Sequence, residues 1–144
     1  MYIIIIFFKG CEQFLAIANE EGDLIIQDTN KVGENSIIVD FTAHNNAIFD
    51  VAWNPKDHGH IATASGDQSV RYWKIDNTVE LVRKFKGFTR SVKCVEFVPQ
   101  NPNLLVTGSR EGSIFLWDIR DPSEERPALA IRRAHTHSSL GGMY

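Results

Sequence analysis

Two stretches of the chain carry matching residue types at a spacing of 44 residues, and this repeat limits the folds that the chain can adopt. Four pairs of positions match across that spacing: His44 with Phe88, Thr63 with Thr107, Asp67 with Glu111, and Trp73 with Trp117. A weaker copy lies upstream, FLAIANEEGDLIIQDTN, in which Gln27 stands in place of the tryptophan. A fixed period of this length predicts a series of similar structural units that stack on one another.

Each unit is predicted to consist of short β-strands. Eleven apolar runs of strand length occur in the 144 residues, and Gly, Asn, Asp, Pro and Ser separate them. Two of these runs, DVAWNP and CVEFVP, end at a proline, which closes a strand because it cannot donate to the ladder. The pattern predicts an all-β fold. We expect the strands of the two clear units at 48–53, 60–65, 69–74, 79–85, 92–98, 104–109, 113–118 and 128–132.

The period, the four strands in each unit and the Trp-Asp ending resemble the WD-repeat β-propeller. The resemblance implies four-stranded antiparallel blades. It divides the chain into a degenerate repeat at 1–42, two repeats at 43–86 and 87–133, and the start of a further repeat at 134–144. About three blades cannot close a ring, because propellers need about four to eight. We therefore expect either that the chain is part of a longer propeller or that partner chains complete the ring.

The resemblance also implies a structural role for four polar residues of the second unit. In WD repeats a His, a Ser or Thr, an Asp and a Trp form a buried hydrogen-bonded set, and His44, Thr63, Asp67 and Trp73 stand at these positions. An indole N–H only donates, a hydroxyl relays, and an imidazole links to a carboxylate. The hydroxyl, imidazole and carboxylate also raise a hydrolase alternative. No nucleophile elbow or oxyanion loop accompanies them, so we predict that the chain is not an enzyme.

The third unit departs from this pattern. Phe88 replaces the histidine and Glu111 replaces the aspartate, so that only Thr107 and Trp117 remain of the set. A phenylalanine can neither donate nor accept a hydrogen bond through its side chain. We therefore expect the third blade to depend more on apolar packing than the second.

Composition and spacing argue against several other classes of function. A net charge of −3 gives no sign of a nucleic-acid surface. The apolar run 2–8 is shorter than the roughly 20 residues of a membrane span, and we interpret it as a buried strand rather than a signal peptide. Two histidine pairs, His58-x-His60 and His135-x-His137, have no further ligand in a metal-binding spacing. We predict no metal and no cofactor.

The third unit ends in Trp117-Asp118-Ile119-Arg120, and the repeat does not require this arginine, because Asp76 fills its place in the second unit. Residues two apart on a strand share a face, so Asp118 can hold Arg120 in place. An arginine held in this way suits a protein interface. The string resembles the box through which WD-repeat proteins dock on the large propeller adaptor of cullin-4 ubiquitin ligases, which implies adaptor binding by Trp117, Asp118 and Arg120. The alternative is a surface ion pair worth about 0–1 kcal/mol.

Longer stretches resemble the denticleless family, the replication-coupled substrate receptors of cullin-4 ligases. The similarity is most specific at ANEEG and AHNNAIFDVAWNP and continues through VTGSREGSIFLWDIR. It implies a nuclear protein that recruits targets bound to the replication clamp PCNA for ubiquitin-dependent degradation, in the control of the cell cycle and DNA replication. It implies no direct contact with nucleic acid or membrane. The alternative is a general WD-repeat interaction scaffold in chromatin assembly or RNA processing.

If the adaptor binds at the rim that carries Arg120, substrates should bind at the opposite rim. The loops there carry Lys86, Arg90 and Arg110, a small basic group suited to acidic or phosphate-rich partners. The alternative is that these are ordinary solvated charges on loops.

Overall fold

The computed structural model describes the backbone of residues 3–7 and the whole of residues 13–132. Over these residues the chain forms twelve β-strands and one short 3-10 helix at Gly33–Ser36. The strands are β1 (Ile3–Phe7), β2 (Phe14–Asn19), β3 (Asp23–Asp28), β4 (Ile37–Thr42), β5 (Ile48–Trp53), β6 (His60–Ser65), β7 (Val70–Ile75), β8 (Val79–Phe85), β9 (Val92–Val98), β10 (Asn101–Ser109), β11 (Ile114–Asp118) and β12 (Leu129–Ile131). In this part of the chain no helix is long and apolar enough to cross a membrane.

The strands form three antiparallel sheets, and each sheet takes four consecutive strands in chain order. We name them the first blade (β1–β4), the second blade (β5–β8) and the third blade (β9–β12). The first strands of consecutive blades lie next to each other, since β5 contacts both β1 and β9. The expected all-β fold of four-stranded antiparallel blades is confirmed. The expected start of a fourth repeat at 134–144 lies outside the described residues.

The observed strands agree closely with those expected from the apolar runs. The largest difference is β10, which was expected at 104–109 and begins at Asn101. Its pairing with β9 shifts register between Asn101 and Leu105, around Pro102. A proline cannot donate to the ladder and is found at bulges. The backbone of the N-terminal apolar run forms β1, which pairs with β2 from Ile3 to Phe7.

The hydrophobic core lies between the blades rather than inside any one of them. One buried cluster joins the first and second blades and includes Leu24, Ile26, Val51, Ile61 and Trp73. A second cluster joins the second and third blades and includes Tyr72, Phe85, Phe97, Phe115 and Trp117. Alternate residues of a strand point to opposite faces of its sheet. The second blade therefore buries both of its faces, and each tryptophan faces the preceding blade.

The loops at the two ends of the sheets form two rims. We call the upper rim the end that carries the β6–β7 turn with Asp67 and the β10–β11 turn with Glu111. We call the lower rim the opposite end, which carries the β7–β8 turn with Asp76 and the turn after β11 with Arg120. The rims are separated by the length of the strands, so that each presents a distinct set of side chains.

Candidate functional site

The structure brings together the four polar residues singled out in the second unit. Trp73 donates its indole N–H to Thr63 Oγ1 over 3.0 Å. The same hydroxyl lies 2.7 Å from Nε2 of His44, and the other ring nitrogen, Nδ1, lies 2.8 Å from Asp67 Oδ2. The Thr63 and His44 side chains are buried. The chain of contacts joins β6 and β7 to the loop that enters the blade, so the set fixes that loop on the sheet.

The hydrogen-bond partners of His44 indicate which of its ring nitrogens carries a proton. Asp67 is a carboxylate that only accepts, so His44 donates its Nδ1–H to it and Nε2 is left as an acceptor. The Thr63 hydroxyl then donates to His44 Nε2 at 2.7 Å in preference to Arg71 O at 3.5 Å. This order needs a neutral imidazole, and burial lowers the pKa of His44. Burial acts to raise the pKa of Asp67, but hydrogen bonds from His44 and Ser69 outweigh it and lower that pKa to about 2. The set therefore holds one negative charge, on Asp67, which Arg71 also faces at 3.5 Å.

The third blade keeps half of this arrangement and replaces the rest. Trp117 donates to Thr107 Oγ1 over 3.0 Å, as in the second blade. Phe88 occupies the place of the histidine and packs against Trp117, with ring centroids 5.9 Å apart. Glu111 Oε2 instead accepts hydrogen bonds from the backbone N–H and the hydroxyl of Thr89, at 2.8 and 2.6 Å. Glu111 therefore still fixes the entry loop to the blade, but through Thr89, which is one residue after Phe88.

Among the described residues of the first blade, no such hydrogen-bonded set is present. Gln27 lies opposite Leu15 in the β2–β3 pair, just as Trp73 lies opposite Ile61. The register of the first blade therefore places Gln27 where the tryptophan would be. Its side-chain amide donates to Ser36 Oγ over 2.7 Å. This hydrogen bond joins β3 to the 3-10 helix of the same blade.

On the lower rim, Arg120 is held by Asp118 through a bidentate ion pair. Its Nε and Nη2 donate to the two carboxylate oxygens over 2.9 and 2.7 Å, and its backbone N–H donates to Oδ1 over 3.0 Å. The hydrogen bonds from Arg120 lower the pKa of Asp118 to about 2. The Arg120 side chain is 65% exposed. Strand β11 ends at Asp118, so Arg120 lies in the following turn rather than on the strand.

The same turn recurs in the first blade without the arginine. Asp28 Oδ1 accepts the backbone N–H of Asn30 over 3.0 Å, as Asp118 does for the residue two positions later. In the second blade the turn is shifted, and Asp76 Oδ1 accepts from the backbone N–H of Thr78. An aspartate that caps its own turn is therefore common on this rim. Among the described turns of this rim, the third blade is the one in which the aspartate also holds an arginine side chain through two hydrogen bonds.

The lower rim also carries an apolar cleft between the first and second blades. The cleft has a volume of about 190 Å³ and is lined mainly by Phe14, Ile26, Ile38, Trp53 and Ile75. Asp76 and His58 lie at it as well. No motif in the sequence indicated this cleft, because it forms only where two blades meet.

One of the three basic residues expected on the upper rim is paired with an acid. Lys86 Nζ lies 2.9 Å from a carboxylate oxygen of Glu124, and this contact raises the pKa of Lys86. Among the described residues, Arg90 and Arg110 make no ion pair, and both are exposed. Sequence reasoning missed Lys93, whose Nζ lies 3.2 Å from the centroid of the Phe49 ring. In the part of this rim that the structure describes, Arg90, Lys93 and Arg110 are exposed and make no ion pair with an acid.

The first histidine pair does not converge on a common site. His60 faces Asp57, with Nδ1 2.8 Å from Oδ2, and stacks on Tyr72, whereas His58 lies at the apolar cleft. The other predicted pair, His135 and His137, lies outside the described residues. Within residues 13–132, no group of three or more His, Cys, Asp or Glu side chains is arranged to hold a metal ion.

The comparisons with known proteins agree with the blade structure. A family model described as WD domain, G-beta repeat matches residues 35–74 and 79–118, which is more than half of the 144 residues. Each matched segment begins near the outer strand of one blade and ends with the third strand of the next. The model thus divides the chain one strand earlier than the boundaries expected at 43 and 87. The chain belongs to the WD-repeat family.

Similar proteins show which WD-repeat proteins the chain is related to. The chain is 41% identical over 129 residues to the Denticleless protein homolog of Danio rerio, which covers 88% of the chain and 20% of that protein. It is 38% identical over 120 residues to Protein lethal(2)denticleless of Drosophila melanogaster, covering 78% and 16%. It is 36% identical over 131 residues to the human Denticleless protein homolog, covering 88% and 18%. The repeats are those of a denticleless-family protein, and the chain spans a fifth or less of the length of these relatives.

Proposed function

We propose that this chain forms part of the substrate-recognition subunit of a cullin-4 ubiquitin ligase and contacts the large propeller adaptor of that ligase through Arg120. The observation that carries the proposal is the bidentate pair with Asp118, which presents an exposed guanidinium in a fixed orientation. An arginine that is already ordered loses less side-chain entropy when it binds. Arginine anchors are also enriched among the residues that dominate protein interfaces.

The lower rim has further features that suit a docking surface. The apolar cleft between the first and second blades opens on the same rim as Arg120. Interfaces commonly combine an apolar pocket with a small number of ordered charged groups around it. The rim therefore offers both kinds of contact to one large partner.

By this proposal the recruited proteins are bound to the replication clamp PCNA, and the protein acts in the nucleus during control of the cell cycle and DNA replication. The support is the similarity to denticleless proteins over 74–88% of the chain. The substrate would bind away from the adaptor, on the upper rim.

We also infer that the chain contributes binding and not catalysis. The Thr63 hydroxyl is fully buried and is held between an indole N–H and an imidazole. A nucleophile must reach its substrate, and this oxygen has no exposed surface. The hydroxyl, imidazole and carboxylate are therefore better explained as part of the framework that supports the rims.

The adaptor contact can be tested by a pull-down with the tagged full chain and purified adaptor. Replacement of Arg120 by Ala should weaken binding about fivefold to thirtyfold, as expected for a loss of about 1–2 kcal/mol. Asp118→Asn should have a smaller effect, because the guanidinium remains but is less firmly held. Lys74→Ala is the matched control, since Lys74 is an exposed cation on the same rim, and it should bind like the wild type.

Equal binding by wild type and Arg120→Ala would remove Arg120 from the proposed contact. Equal losses in Arg120→Ala and Lys74→Ala would point to general charge attraction instead of a specific anchor. If the adaptor fails to bind the wild type, the ligase function would be contradicted and the general scaffold function would be favoured.

A further inference from the structure

Two loops of the upper rim are fixed to each other where the second and third blades meet. The backbone N–H of Arg110, in the β10–β11 turn, donates to Ser91 O over 2.9 Å. In the same turn, Glu111 accepts two hydrogen bonds from Thr89. These contacts bring Arg90, which lies between Thr89 and Ser91, to the same part of the rim as Arg110.

Lys93 extends this group across the junction of the two blades. It lies on β9 of the third blade, and its ammonium is 3.2 Å from the ring centroid of Phe49 on β5 of the second blade. A cation over an aromatic face is held by the ring's negative face. Burial lowers the pKa of Lys93, and the positive charge of Arg110 nearby lowers it further.

Within the described part of the chain, none of these three cations is neutralised by an acid. Three other cations near the rims are each paired with an acid: Lys86 with Glu124, Arg71 with Asp67, and Arg120 with Asp118. Glu111, the carboxylate in the β10–β11 turn, takes hydrogen bonds from Thr89, from the backbone N–H of Arg90 and from the Ser113 side chain. Its position is thus set by neutral donors, and the arginine side chains remain exposed.

From this arrangement we propose that Arg90, Lys93 and Arg110 form an anion-binding site for an acidic segment of a partner protein. The three cations surround one junction, and one of them is fixed in place by Phe49. An aspartate, a glutamate or a phosphorylated side chain placed between them would relieve their mutual repulsion. The two arginines can bind a carboxylate or a phosphate with two parallel hydrogen bonds. This proposal rests on the proposed function in one respect only: the acidic segment would belong to a substrate that the protein recruits.

The observations favour a short peptide over a nucleic acid. Nucleic-acid binding draws on many phosphate contacts, commonly about six to ten, whereas this site has three cations. Asp67 and Glu111 lie on the same rim, and both carry lowered pKa values and so remain charged at neutral pH. An extended phosphate backbone that crossed the rim would meet these carboxylates.

Fluorescence anisotropy with the full chain and labelled ten-residue peptides would test the site. One peptide is rich in glutamate, one carries phosphoserine, and one has glutamine at the acidic positions. Lys93→Met keeps an unbranched side chain against Phe49, and Arg110→Gln keeps a polar side chain. Each substitution should weaken binding of the acidic peptides about fivefold to tenfold, and 0.5 M salt should weaken it further. Lys74→Gln on the lower rim is the charge-matched control and should have no effect.

Tighter binding of either the glutamate or the phosphoserine peptide than of the glutamine peptide supports the site and identifies the preferred anion. Equal binding of all three peptides, or wild-type binding by Lys93→Met and Arg110→Gln with melting curves unchanged, would overturn it. A single-stranded oligonucleotide that binds more tightly than both acidic peptides would overturn it in favour of a nucleic-acid surface. Arg120→Ala should bind the peptides normally, so failure here is distinguishable from failure of adaptor docking.

Discussion

Thr63 and Thr107 occupy the same place in consecutive blades but have different numbers of buried partners. Thr63 accepts a hydrogen bond from Trp73 and also contacts His44, whereas Thr107 accepts one from Trp117 and faces Phe88 in place of an imidazole. A buried polar group left without its partner costs about 1–3 kcal/mol. The two sites therefore form a natural comparison of what the imidazole contributes to the fold.

Replacement of each threonine by the similarly shaped valine should separate these contributions. Thr63→Val leaves both an indole N–H and an imidazole nitrogen unpaired, so we expect a loss of about 3 kcal/mol in the free energy of unfolding. Thr107→Val leaves an indole N–H unpaired but no imidazole nitrogen, and we expect about half that loss. Urea unfolding of the two variants measures the difference. Equal losses would show that the His44 contact adds nothing to stability.

The buried imidazole should also make stability depend on pH. Burial lowers the pKa of His44 below 6.5 in the folded state, so the unfolded chain takes up a proton first as the pH falls. The stabilisation is complete above pH 6.5 and is lost as the pH falls toward the folded pKa, at up to about 1.4 kcal/mol per pH unit. Asp67, with a pKa of about 2, remains charged throughout this range.

His44→Phe, which copies the residue at position 88, is the variant that tests this dependence. The free energy of unfolding measured between pH 5 and 7 should decrease less steeply toward acid in the variant than in the wild type, whatever the absolute stability of the variant. Identical slopes would assign the pH dependence to other groups.

At the level of single residues, the WD-repeat resemblance implied the set around Thr63, and the 44-residue register placed its members. The pairing of Asp118 with Arg120 was expected from alternation along a strand, but it occurs in the turn after β11, where Asp118 also accepts the backbone N–H of Arg120. Thr89, Lys93 and the Lys86–Glu124 pair were not predicted. Each depends on how a loop folds against a different loop or a different blade, and no local pattern records that placement.

The turn between the second and third strands of each blade has the same backbone shape in all three blades. Counted from the last residue of the second strand, the fourth residue has a positive φ in each blade. The angle is 98° at Gly22, 67° at Gln68 and 86° at Gly112. In the first blade this turn also supports the next blade, because Gly22 O accepts the backbone N–H groups of Ala43 and His44 over 2.9 and 3.0 Å. The first blade thus positions the loop that carries the imidazole.

Gly22→Ala should therefore disrupt more than its own turn. A Cβ atom at Gly22 would lie 2.0 Å from His44 O, which cannot move without shifting the entry loop. Gly33 is the matched control, since it also has a positive φ, of 71°, but a Cβ atom there would meet nothing within 4 Å. We expect a loss of about 1 kcal/mol for Gly33→Ala and a loss several times larger for Gly22→Ala, as measured by thermal unfolding. Similar losses would show that backbone strain, and not the contact between blades, decides the cost.

The strands themselves were predicted from short apolar runs to within a few residues, because the runs end at Gly, Asn, Asp or Pro. The apolar runs did not indicate the bulge in β10 around Pro102 or the short length of β12, which spans only Leu129–Ile131. A bulge depends on how two strands pair. The end of an outer strand depends on its neighbour, so neither feature can be read from one strand alone.

Taken as a whole, the molecule buries apolar side chains where blades face each other, and the third blade has one face that no described residue covers. In the second blade, Ala62 and Tyr72 lie opposite each other and are buried against the third blade. The matching pair 44 residues later is Val106 and Leu116. Val106 is 36% exposed. The repeat therefore places on this face the residue types that a neighbouring blade would cover.

This uncovered face should cause the 144-residue chain to self-associate in solution. Burial of apolar surface is favourable wherever a second surface of suitable shape is present. Sedimentation velocity between about 5 and 100 µM should show species larger than a monomer that increase with concentration. Val106→Lys places a charge on the face and should reduce this association, whereas Leu81→Lys, at a site 44% exposed on the outer strand β8, should not. A wild-type chain that remains monomeric at 100 µM and melts cooperatively would show that the face is stable in water.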